Sequence, residues 1–72
     1  MASKRATIIP KAATGRILIN AGAKRVSQDA MDLFVEVLQE RAMSVATQAV
    51  RIAKHAGRKT VHEGDIKLAA KQ

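Results

Sequence analysis

Between Ser27 and Gly57 the chain holds neither glycine nor proline, and apolar residues recur through that stretch at helical spacing. Ala30, Leu33, Phe34, Val37, Leu38, Val45, Ala46, Ala49, Val50, Ile52, Ala53 and Ala56 carry the period. A polar stripe of Asp29, Asp32, Glu36, Glu40, Thr47, Arg51 and Lys54 runs opposite. Ser27 is placed to cap, so the pattern predicts one helix over 28–56, about 44 Å long at ~1.5 Å per residue. A chain of 72 residues packed into a globule has a radius of gyration of ~11 Å and a diameter of roughly 30 Å. The helix outruns the body meant to hold it. A second copy laid antiparallel across it would cover the apolar stripe and bring one chain's acidic half near the other's basic half. The chain is therefore expected to be an obligate dimer that does not fold alone.

The flanks read as shorter helices, and the fold class as all-α. Residues 1–9 form a basic arm and 10–72 a single domain. Pro10 suits a helix start, and Ile17, Leu18 and Ala21 share one face. Gly22 then stops a first helix of about 11–21. Thr60 and Glu63 have the spacing of a capping box and open a third helix, with Ile66, Leu68 and Ala69 as its apolar contacts. That helix ends near Lys71. Gly64 in its first turn costs up to ~1 kcal/mol relative to alanine.

Charge points to the partner. Thirteen Lys and Arg against six acids give a net charge of +7. Residues 1–25 carry Lys4, Arg5, Lys11, Arg16, Lys24 and Arg25 and no acid, and Arg41, Arg51, Lys54, Arg58 and Lys59 follow the acidic run. Such blocks suit a polyanion, because each phosphate neutralised releases condensed counterions. With one Phe, no Tyr and no Trp, the chain has almost nothing on which unpaired bases stack, which favours a duplex. The absence of cysteine removes disulfides and thiolate metal sites. No apolar run reaches the ~20 residues of a membrane span, and no signal peptide opens the chain. Neither a Gly-rich phosphate loop nor a Ser–His–carboxylate set is present, so catalysis is not expected, and no cofactor.

The segments Gly15-Arg16-Ile17, Ala21-Gly22-Ala23-Lys24-Arg25-Val26-Ser27 and His55-Ala56-Gly57-Arg58-Lys59-Thr60-Val61 resemble the characteristic stretches of archaeal histones, in order and over about residues 8–70. The resemblance implies the histone fold, with short, long and short helices paired in an intertwined antiparallel handshake homodimer. It further implies wrapping and compaction of double-stranded DNA without base readout, in the cytoplasm on the chromosome. Gly22–Val26 of one subunit would lie beside Gly57–Thr60 of the other. Arg25 would enter the minor groove braced by the partner's Thr60, and Arg16 would reach the groove from helix one. Lys11, Lys24, Val26 and Lys59 would complete the DNA-contact set, together with backbone N–H groups at the starts of helices one and two. Arg58 and Asp65 would form an internal salt bridge. Ile52, His55 and Asp65 would meet a neighbouring dimer to build a tetramer, and Gly22 would let dimers stack closely. Other histones are further candidate partners.

Each residue also has a plainer reading. Arg25 and Lys59 could be solvated loop charges, Arg16 could cover apolar surface with its stem, and His55 could be an ordinary helix-end histidine. A metal role for His55 and His62 is disfavoured, because Gly57 breaks the helix between them. Ile19 stands where the family commonly has a basic residue, which removes one phosphate contact. Met1–Thr7 form a longer arm than the minimal family member has. Three other functions compete. A helix-turn-helix repressor needs a short recognition helix, which a 28–56 helix excludes. A histone-fold subunit with a different partner would self-associate weakly. A membrane-surface helix sits poorly with two capped flanks.

Overall fold

A computed structural model describes residues 8–71. Three helices follow in order, α1 (Lys11–Asn20), α2 (Gln28–His55) and α3 (Glu63–Ala70), with no strand among the described residues. The basic arm expected at residues 1–9 lies mostly outside the described residues. The chain divides into two compact units, Met1–Gln39 and Glu40–Gln72, each taking one half of α2.

α2 begins where its sequence sets it. The Ser27 Oγ accepts the Ala30 N–H at 3.1 Å, and the Ser27 carbonyl accepts the Met31 N–H at 3.1 Å. Twenty-eight residues follow without a break, roughly 42 Å of helix. Asp29 sits in its first turn and Lys54 and His55 in its last, which complements the helix dipole.

α1 and α2 end in the same way. Gly22 donates to Ile19 O at 3.0 Å while Ala23 donates to Leu18 O at 3.0 Å; Gly57 donates to Lys54 O and Arg58 to Ala53 O, both at 2.9 Å. This nested pair of bonds is a Schellman motif, and it requires a left-handed residue at the turn. Gly22 has φ +122° and Gly57 φ +77°, conformations that a side chain disfavours. Both glycines are therefore part of the helix termini.

In the first unit, α1 lies on the opening half of α2. Thr14 is fully buried, and its hydroxyl donates to the Lys11 carbonyl at 2.6 Å, so no polar group is left unsatisfied there. A methyl group on Gly15 would come within 2.8 Å of the Met31 Sδ. The helices close to that distance because residue 15 has no side chain.

In the second unit the buried apolar side chains are Ala49, Ala53 and Ala69. Three methyl groups remove little surface from water at ~25 cal/mol per Å². Arg41 Nη2 reaches the last carbonyl of α3, Ala70 O, at 3.1 Å. Leu33, Val37, Met43, Val50, Ile66 and Leu68 are 42–62% exposed. More large apolar side chains are open than buried, so the chain's own packing does not explain its hydrophobic pattern.

The third helix opens later than its sequence suggests. The sequence expects Thr60 to cap it with Glu63 reaching back; instead His62 is the cap residue, Glu63 is the first helical residue, and Thr60 is exposed. The His62 N–H donates to Asp65 Oδ2 at 2.8 Å, so Asp65 is the carboxylate that reaches back. Both spacings satisfy the capping rule. Arg58 decides between them by fixing Asp65.

Candidate nucleic-acid interface

The cations expected to face DNA fall on two connections and one helix. Arg16 is exposed on α1, and Lys24 and Arg25 are exposed in the α1–α2 connection beside half-buried Val26. Lys59 and Thr60 are exposed in the α2–α3 connection. Arg16, Lys24, Arg25 and Lys59 have no carboxylate partner among the described residues. Helix termini locked by the two Schellman turns anchor one end of each connection, so a short basic stretch leaves a fixed point.

Lys11 has a different setting. As the first residue of α1, its Nζ is 2.6 Å from Asp32 Oδ1, with both side chains about half exposed. An exposed pair of this kind contributes little to stability, about 0–1 kcal/mol. The ammonium is nonetheless partly neutralised, which sets it apart from the four unpaired cations. The Lys67–Glu63 pair at 3.2 Å lies one turn apart on α3 and is wholly surface.

Arg58 does not project like its neighbour Lys59. Its Nη1 donates to Asp65 Oδ2 at 2.9 Å and its Nη2 to Asp65 Oδ1 at 3.0 Å, a two-pronged ion pair. Nη1 also donates to Thr60 O at 3.1 Å, closing the connection on itself. Asp65 is 4% exposed. The Arg58 hydrogen bonds, followed by the His62 N–H, hold its carboxyl down at about 2, while partial burial opposes them. Sequence spacing alone does not reveal how many roles this one carboxylate fills: it orients Arg58, caps α3 and ties the connection to the helix.

His55 is exposed in the last turn of α2, with Ile52 half-buried one turn before it. The sequence does not single out Gln39, whose Oε1 accepts the Ile8 and Ile9 N–H groups at 2.6 and 3.0 Å. Partners thirty residues apart leave no local signal. Among the described residues no group of three or more His, Asp or Glu converges as a metal site, and no helix is long and apolar enough to cross a membrane.

A short–long–short helix order, a long helix with open apolar positions and two glycine-locked basic connections define the histone-fold class. The sequence model of the family described as histone-like transcription factor (CBF/NF-Y) and archaeal histone matches residues 7–70, and the chain belongs to that family. It is 46% identical to the archaeal histone HAN1 of Thermococcus zilligii over 63 residues, covering 88% of this chain and 94% of the relative. It is 49% identical to probable archaeal histone 3 of Methanocaldococcus jannaschii over 61 residues, covering 85% and 91%.

Proposed function

We propose that two copies of this chain pair through α2 in an antiparallel handshake, and that the paired body wraps double-stranded DNA as an archaeal chromatin protein. The observation that carries the DNA reading is the placement of Lys24, Arg25 and Lys59, exposed and without carboxylate partners among the described residues, on connections held at glycine-locked helix ends. Pairing is supported by the open apolar side chains of α2 and α3 beside a core of small residues.

In this reading Arg25 and Arg16 enter the minor groove, Thr60 of the partner subunit braces Arg25, and Lys24 and Lys59 meet phosphates. Arg58 has a structural part, holding Asp65. Lys11 contributes only when a phosphate displaces Asp32. No base edge is read, so affinity depends on phosphate charge and on how easily the duplex bends. The protein is architectural and carries out no reaction.

Dimers join further through Ile52, His55 and Asp65 of neighbouring pairs. Asp65 Oδ1 accepts a hydrogen bond from Arg58, and a carboxylate oxygen has room for about two. Gly22 permits close stacking of dimers along DNA, and other histones can take the partner's place. Gly22→Asp also strains the end of α1, because φ there is +122°. Shortened nuclease-protected fragments therefore support stacking only where the variant dimer keeps its thermal stability.

A salt titration with sequence competitors tests the function. Log affinity should fall against log salt with a slope of about −0.9 per phosphate engaged, and shuffled duplexes should compete as well as the original. Arg25→Ala should weaken all duplexes about equally. A salt-insensitive affinity, or loss to one sequence alone, would overturn the proposal.

A further inference from the structure

Just ahead of α1 the chain is fastened to α2 by a polar contact. The Ile8 and Ile9 N–H groups both donate to Gln39 Oε1, at 2.6 and 3.0 Å. Residue 10 is proline and has no N–H to offer, so one amide oxygen takes both of the last donors before the helix. Apolar burial does not do the fastening at Ile8, whose residue is 80% exposed. Gln39 itself is half-buried, one turn beyond the buried Val35 and on the same side of α2.

The fastened point is where the basic arm begins. Lys4 and Arg5 precede it by four and three residues. At up to ~3.5 Å per residue, Arg5 stays within roughly 11 Å and Lys4 within roughly 14 Å of Ile8 by any path. Holding the root therefore confines both cations near one part of the surface. Released, the same cations sample a larger volume, and their effective concentration at a nearby phosphate falls.

We infer that Gln39 is a positioning residue for the arm: its side-chain oxygen fixes the point from which Lys4 and Arg5 engage DNA phosphates. The inference rests on the DNA-wrapping reading above. Gln39 touches no DNA in this role and acts through the two cations.

The test uses the full chain in four forms: wild type, Gln39→Met, Lys4→Ala with Arg5→Ala, and all three changes together. Methionine keeps the length and helix preference of glutamine and removes the acceptor. Gln39→Glu, which keeps an acceptor oxygen, serves as the conservative control. Amide exchange at Ile8 and Ile9 should be slow in wild type and Gln39→Glu and faster in Gln39→Met. Gln39→Met should lower duplex affinity about two- to fivefold when the arm is intact and leave it unchanged when the arm cations are gone. Removing both cations should flatten the salt slope by up to ~1.8, at about 0.9 per phosphate. Equal losses from Gln39→Met in both arm backgrounds, or slow exchange surviving in Gln39→Met, would overturn the inference alone. Wild-type protein that ignores duplex DNA would instead overturn the function beneath it, so the two failures are distinguishable.

Discussion

At the scale of single residues, Asp65 does more than its share. Arg58 and the His62 N–H both bond its ionised form and lower it from 3.8 to about 2. A carboxyl more acidic in the folded than in the unfolded chain adds stability above its ordinary value, and that contribution is lost as pH falls through about 2. Asp65→Asn should therefore be less stable than wild type at neutral pH, and the gap should narrow between pH 3.8 and about 2. Denaturant midpoints of both proteins at several acidic pH values measure it; a gap independent of pH would contradict the assigned role. Gly57 makes a second residue-scale prediction. At φ +77° an alanine is strained, so Gly57→Ala should cost about 1–2 kcal/mol, read as a lower midpoint of thermal unfolding. No loss would mean that the turn relaxes freely.

At the scale of elements, α2 is the most legible part of the sequence and α3 the least. Ser27, the glycine-free run and Gly57 bound α2 through local chemistry alone, and the helix stops at His55, one residue inside the expected end. Ser27→Ala should destabilise the folded protein by about 1 kcal/mol through loss of the bond to the Ala30 N–H; an unchanged unfolding curve would deny the cap its part. The start of α3 is ambiguous in sequence because Thr60–Glu63 and His62–Asp65 share one spacing, and a guanidinium seven residues before Asp65 selects between them. Lys11 reads as a free phosphate ligand until Asp32 comes beside it. Gln39 is not legible at all, since its partners lie in another segment. The loop cations are readable as charges, and their exposure follows from the fold. In each case local rules place an element, and tertiary contacts decide what its polar ends touch.

At the scale of the molecule, one imbalance organises the account. The apolar residues of α2 keep a helical period along about 42 Å, yet Leu33 is 62% exposed, Val37 51% and Val50 42%. Leaving such a surface in water is costly, and a twin that covers it links folding to association. Pairing would also set two copies of each basic connection on one body, which is what a curved duplex needs from a protein without base contacts. Thermal unfolding across a roughly hundredfold dilution tests that link most directly. The account predicts a midpoint that falls steadily as the protein is diluted, because the folded state contains two chains. A midpoint that does not move, with a folded single chain sedimenting at the lowest concentration, would contradict it.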